Sequence, residues 1–224
     1  MQRLLFISIF LCLIACQSEE QRAAKFVAQF GATDAARRTE ASKALVAIGP
    51  EAIDALISGL SDANLQVREM SAWTLSEIGV PIARVAPALI TTLADPDENI
   101  RVVGSVALQN LGEPAVPYLI DALKAESMEI RLNAAYALGE ISKPLDTILP
   151  ALINTLTDPE WNVRRLVVRA LVTIGAPAID PLIQALHSDN PDLRRMAERA
   201  LSDIGTPQAR RAIADAKRQF PSDR

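Results

Sequence analysis

Six times along the chain an arginine is followed seven residues later by leucine, and eleven residues later by glycine or, once, serine. The arginines are Arg38, Arg68, Arg101, Arg131, Arg164 and Arg194, and the leucines are Leu45, Leu75, Leu108, Leu138, Leu171 and Leu201. Gly49, Gly79, Gly112, Ser142, Gly175 and Gly205 close the six segments. Successive arginines stand 30, 33, 30, 33 and 30 residues apart, so the repeat alternates between two lengths. A fixed period in this range marks an array in which each repeat buries its apolar face against its neighbours.

Within a repeat the periodicity is helical. Val67 and Arg68 open a helix in which Ser71, Thr74, Leu75 and Ile78 return on one face. Gly79 ends it, as a residue free to take positive φ does. Pro81 and Pro87 follow, and proline belongs at or before a first helical turn rather than inside a helix. The spacing therefore predicts a long inter-helix loop over Val80 to Ala86, and another over Lys143 to Leu149, which absorb the extra three residues. A second, shorter helix carries a Leu-Ile pair and a further leucine, as in Leu56-Ile57 with Leu60 and Leu119-Ile120 with Leu123. Projected backward, that signature lands on Phe26-Val27 with Phe30, a half-repeat that caps the start. Projected forward, it lands on Ala212-Ile213 with Ala216, whose weaker apolar face suits a closing cap.

This pattern of aspartate, Val/Ile-Arg, Ala-Leu, Ile-Gly and Leu-Ile resembles the HEAT repeat, and within it the short variety found in phycobilin lyase subunits. The resemblance covers residues 19–216, although these repeats are shorter than typical HEAT units. It implies an all-α, right-handed α-solenoid, a HEAT-like superhelix of about six two-helix repeats with terminal half-repeat caps. First helices would lie on its convex side and second helices on its concave side. It also implies a structural role for the six arginines: a ladder between neighbouring repeats, paired with acids such as Asp62, Asp95 and Asp158, each six residues before an arginine.

The first residues pose a separate question. Arg3 precedes an apolar run from Leu4 to Ala15, interrupted only by Ser8 and too short to span a bilayer, which takes about 20 apolar residues. The run reads as a secretion signal. Its end, Leu13-Ile14-Ala15-Cys16, resembles the lipobox of bacterial lipoprotein signal peptides. That resemblance implies cleavage after residue 15, lipidation of Cys16 and a membrane anchor. Gln17, rather than aspartate, follows the cysteine, which by the rule of that family favours the outer membrane, facing the periplasm. The expected organisation is a signal peptide over 1–15, a lipidated tether over 16–18, the repeat domain over 19–216 and a tail over 217–224. With Cys12 in the discarded peptide and Cys16 acylated, no thiol remains for disulfide, metal or catalysis.

Charge and chemistry narrow the function. A net charge of −4 speaks against a general nucleic-acid binder. The single histidine, His187, cannot build a His-rich di-iron or zinc centre, and no nucleophile–base pair or phosphate-cradling glycine loop is present. The sequence therefore leads us to expect no enzyme, no metal and no cofactor.

The surface carries what remains. Residues one and five positions beyond each arginine lie together on one side of the first helix. In the third and fourth repeats they are Val102, Val106, Leu132 and Tyr136, with Trp73 beside them in register from the second repeat. In the fifth and sixth they are Arg165, Arg169, Arg195 and Arg199. Charge follows the same division, with a balance of −9 over residues 16–160 and +4 over 161–224. Apolar patches bordered by charge mark interfaces, and aromatic and arginine side chains are their usual anchors. Trp161, alone in its turn, either anchors a partner or folds back on the neighbouring turn. The expectation is a lipid-anchored, non-catalytic scaffold or adaptor in the bacterial envelope that binds another protein. Two alternatives stand beside it: an enzyme or enzyme subunit related to HEAT-like bilin lyases or deoxyhypusine hydroxylases, and docking of the basic patch on anionic envelope polymer or lipid headgroups.

Overall fold

The computed structural model describes residues 18–220, and every regular element in that span is helical. The expected signal peptide, Cys16 and Gln17 lie outside the described residues, as do residues 221–224. The helices are α1 (Glu19–Ala28), α2 (Ala35–Ile48), α3 (Ile53–Gly59), α4 (Leu65–Ile78), α5 (Ile82–Thr92), α6 (Glu98–Leu111) and α7 (Val116–Ala122). They continue as α8 (Met128–Ile141), α9 (Leu145–Thr155), α10 (Trp161–Ile174), α11 (Ile179–Ala185), α12 (Pro191–Ile204) and α13 (Pro207–Gln219). Among the described residues that is one unpaired helix followed by six pairs, as the repeat predicts. The chain is an all-α solenoid of two-helix repeats.

Each pair begins with a helix of 14 residues, because the same signals bound it every time. Asp34, Asn64, Asp97, Ser127 and Asn190 stand at the N-caps, their side chains accepting from backbone N–H groups of the first turn. All six repeat leucines, from Leu45 to Leu201, are fully buried. So are Leu56, Leu89, Leu119, Leu152 and Leu182 of the second helices. Each contributes about 1.5–3 kcal/mol by leaving water.

The described residues divide into two compact units that part between residues 88 and 89. In the first, Phe30 of the cap is fully buried, and the Ser42 and Thr74 hydroxyls share a buried 2.9 Å hydrogen bond that joins α2 to α4. Gly59 of α3 meets Ser71 of α4 so closely that a Cβ there would lie 2.2 Å from the hydroxyl oxygen. In the second unit the first helices α6, α8, α10 and α12 pack in sequence, as do the second helices α7, α9, α11 and α13. At Gly139 a Cβ would sit 2.6 Å from Ala170 Cβ and 2.8 Å from its Cα, so α8 and α10 touch backbone to backbone.

The alternation of repeat length has a different structural origin from the one expected. The predicted loops over 80–86 and 143–149 are mostly helix: α5 and α9 each run 11 residues, with Pro87 and Pro150 inside them. In the first, third and fifth pairs a short 3₁₀ turn (Gly49–Ala52, Glu113–Ala115 or Ala176–Ala178) leads into a second helix of seven residues. The three extra residues therefore turn that 3₁₀ entry into α-helix upstream of the proline. Each proline sits close enough to the helix start that one missing amide bond is tolerated. The closing residues follow the same alternation. Gly79, Ser142 and Gly205 take the left-handed helical conformation, which serine can adopt at a cost. Gly112 instead has φ +66° and ψ −143°, a region that only glycine occupies readily.

The recurring arginine grips backbone. Nη1 of Arg38, Arg68, Arg101, Arg131 and Arg164 donates to the carbonyls six and five residues earlier, for example to Asp95 at 2.8 Å and Pro96 at 3.0 Å from Arg101. Arg194 holds the Ser188 carbonyl in the same way at 2.7 Å. Each arginine thus ties the start of its helix to the turn that delivers it. The sequence assigned the arginines a ladder between neighbouring repeats, paired with aspartate side chains. Within each repeat the Asp62, Asp95 and Asp158 carbonyls accept from the local arginine, while their carboxylates accept from backbone N–H two residues on. A carboxylate from the next repeat does join at Arg131, whose Nε and Nη2 lie 2.7 and 3.1 Å from Asp158. That hydrogen bond to Asp158 holds the Arg131 guanidinium above its ordinary pKa.

At the end of the described residues α13 runs to Gln219, and Phe220 packs its ring 4.4 Å from the Arg194 guanidinium carbon.

Candidate protein-docking face

Helix α10 starts at Trp161, after an N-cap residue, Glu160, whose side chain makes no capping bond. The indole remains 46% exposed, lying between two guanidinium groups. Arg164, three residues on, is 5.6 Å from the ring centroid, and Arg199 of α12 is 5.7 Å from it. Both distances fall within cation–π range. Trp161 is thus a half-exposed side chain flanked by arginines of its own helix and of α12.

A groove of about 710 Å³ opens beside it, lined by Trp161, Arg195, Met196, Glu198, Arg199, Ser202 and Asp203. Arg195 pairs with Asp192 at 2.8 Å, and Lys217 holds Glu198 at 2.6 Å. Both pairs are solvent-screened. Arg165, Arg169 and Arg199 are exposed, and among the described residues none of the three is in an ion pair. Positive potential therefore concentrates on this side of α10 and α12.

The apolar part of the predicted surface adjoins it within the same unit. Arg169 stands 5.8 Å from the Tyr136 ring, so the arginine cluster reaches α8. Tyr136, Val106 and Leu132 are half-buried, while Val102 is 55% exposed. Trp73, 41% exposed on α4, belongs to the first unit. The structure thus gathers Trp161, Arg195 and Arg199 around one groove, and sets Arg169 against Tyr136 further along α10. Arg164 joins them although the sequence pointed to it only as a ladder residue. The signal for that was its position three residues after Trp161, one helical turn away.

Other surfaces are chemically plainer. Ser58, Thr91, Asp121, Asn154 and Gln184 of the second helices are exposed. A groove of about 460 Å³ runs between α7 and α9, lined by Ile120, Lys124, Asn154 and Thr155 among others. A more apolar hollow of about 670 Å³ lies near Pro114, Pro117 and Pro144. His187 meets Gln219 through Nδ1 at 2.9 Å. Among the described residues no three metal-ligating side chains converge, and no single helix is long and apolar enough to cross a membrane.

Comparison with known proteins places these features in a family. The HEAT-repeat profile matches residues 23–101, 86–148 and 149–222. The uncharacterized phycocyanin operon protein Z of Pseudanabaena tenuis is 30% identical over 149 residues, spanning 63% of this chain and 73% of that protein. Among solved structures, the MAST/Orbit N-terminal domain aligns over 88% of this chain and 95% of its own at 22% identity, with a TM-score of 0.55. The complex of CpcE and CpcF of phycocyanin lyase, from a Nostoc species, aligns over 90% of this chain and 82% of that chain at 24% identity, with a TM-score of 0.39. The expectation that the chain is no enzyme is overturned by the relationship to the phycocyanin operon protein. By its repeats, its helix pairs and these matches, the chain belongs to the HEAT-repeat family and is related to the phycocyanin operon protein.

Proposed function

We propose that the chain acts as a subunit of the phycocyanin-lyase type, holding a partner protein on the face around Trp161, Arg169 and Arg199. The observation that carries this reading is the 30% identity to the phycocyanin operon protein across 73% of its length. The exposed indole flanked by guanidinium groups supports it, since such side chains are the commonest anchors of protein interfaces. On this reading the chain contributes affinity and placement, and the reacting groups belong to the bilin and the protein that receives it. The test is to co-express the full chain with phycocyanin subunits in a bilin-producing host. Complex formation is read by co-purification and chromophore attachment by zinc-enhanced fluorescence of denatured protein. Co-purification together with increased attachment is expected. Neither effect would refute the reading.

A second reading concerns place. We propose that Cys16 carries lipid and tethers the repeats to the bacterial envelope, at the outer membrane facing the periplasm, where the same face acts as an adaptor for a protein partner. Leu13-Ile14-Ala15-Cys16 supports it, and two or more acyl chains hold a protein stably where one does not. Incorporation of a labelled fatty acid that disappears in Cys16→Ser is the expected result, and an unlabelled wild-type chain is the contrary one.

A further inference from the structure

Arg131 and Arg164 occupy the same place in successive repeats, yet one partner differs. Both donate Nη1 to the two carbonyls of the preceding turn. Arg131 also directs Nε and Nη2 onto the Asp158 carboxylate of the following turn. One repeat on, the place of Asp158 is taken by Ser188. The Ser188 carbonyl accepts from Arg194 at 2.7 Å, as that of Asp158 accepts from Arg164. The Ser188 hydroxyl accepts from the Asn190 amide at 3.2 Å, as Asp158 Oδ1 accepts from Glu160 at 2.8 Å. Serine supplies no charge. Nε of Arg164 is correspondingly buried without a hydrogen-bond partner.

A guanidinium that the previous repeat neutralises is therefore left uncompensated where α10 begins. It faces Trp161, whose ring also takes Arg199, and Arg195 lines the adjoining groove. Positive charge concentrated around an exposed aromatic ring selects a partner that brings carboxylates, with apolar stems to lie on the indole.

We propose that the groove beside Trp161 along α12 is a carboxylate-binding site for an acidic segment of a partner protein, in which aspartate or glutamate side chains engage Arg199 and Arg195 and offset the charge of Arg164. The inference deepens the protein-docking reading above and rests on it.

The test uses the full chain with Trp73→Phe, so that Trp161 alone reports by its emission. The probe is hexaglutamate, with hexaglutamine as the neutral comparator. Saturable binding of hexaglutamate about tenfold or more tighter than hexaglutamine is expected, with loss of most of that advantage between about 50 and 300 mM salt. Arg199→Gln combined with Arg195→Gln should abolish the preference. Ser188→Asp supplies the missing carboxylate internally. It should raise the melting temperature and weaken hexaglutamate several-fold. Equal binding of the two peptides, or unchanged affinity in both variants, overturns the site. Tighter binding to anionic phospholipid vesicles that hexaglutamate fails to displace also overturns it, in favour of a membrane surface. Loss of hexaglutamate recognition with phycocyanin-subunit binding retained sinks this site alone. The opposite pattern sinks the lyase reading and leaves the site standing.

Discussion

Replacing Arg131 by leucine should cost far more than the same change at Arg101, although the two arginines hold equivalent positions. Arg101 donates to two carbonyls of its preceding turn, at 2.8 and 3.0 Å. Removing charged hydrogen bonds of that kind costs about 1.5–3 kcal/mol at the upper end, less where water replaces the donor. Arg131 makes the same two bonds at 2.9 Å and adds the two-pronged contact with Asp158. The side chains of that pair are only 12% and 5% exposed, so little solvent screens them. Arg131→Leu leaves the Asp158 carboxylate nearly buried, with the Glu160 amide still donating to it. Breaking a buried pair on one side costs about 3–5 kcal/mol. For a chain of this size each kcal/mol moves the melting temperature by about 2–4 °C, so Arg131→Leu should melt roughly 6–20 °C below wild type. Calorimetry and urea unfolding followed by far-ultraviolet circular dichroism would measure both variants. Asp158→Asn alongside Arg131→Leu should recover part of the loss, because the stranded charge is gone. Equal destabilisation by Arg101→Leu and Arg131→Leu, with no recovery in the double variant, would refute the argument that a carboxylate joins the repeats there.

Three further outcomes follow from the same geometry. Gly139→Val should destabilise by about 1–3 kcal/mol by urea denaturation, since the obstacle at Ala170 includes backbone that no rotamer change removes. Gly139→Ala should cost less, because the gain in helix propensity offsets part of the clash. Gly112→Ser should lower the melting temperature more than Gly79→Ser, because Gly79 is in the left-handed helical region that Ser142 already tolerates, whereas Gly112 is not. The Glu129 carboxylate is held below its ordinary pKa first by its own backbone N–H and then by the Ser127 hydroxyl. Its contribution to stability is therefore present above the unfolded-state value and fades as pH falls through the folded one. A carbon-detected titration should show Ser127→Ala raising the Glu129 pKa toward normal, and no change would contradict the assignment.

The helices were legible because the repeat overdetermines them. A cap residue, an arginine, a leucine seven residues on and a closing glycine fix 14 residues each time, and the buried leucines fell where the period put them. What the sequence hid was choice among locally equivalent outcomes. Pro87 and Pro150 argue for a loop, yet the upstream residues gain more from an added helical turn than the lost amide bond costs. An aspartate six residues before an arginine suggests a side-chain pair, but the guanidinium reaches its carbonyl first. The docking face was half legible: the spacing put Arg165, Arg169, Arg195 and Arg199 on one side of their helices. The stacking of Trp161 between Arg164 and Arg199 depends on how α10 meets α12, which no single repeat encodes. The empty place at Ser188 gains meaning only once Asp158 is seen to pair with the repeat before it.

If the indole–guanidinium face meets a protein partner, photo-crosslinking from position 161 in intact cells should capture that partner. A photoreactive phenylalanine analogue at Trp161 should yield one dominant adduct that Arg199→Glu abolishes, while the same analogue at exposed Glu40 yields none of it. Absence of an adduct at position 161, or the same adduct from both positions, would show that no partner docks on this face.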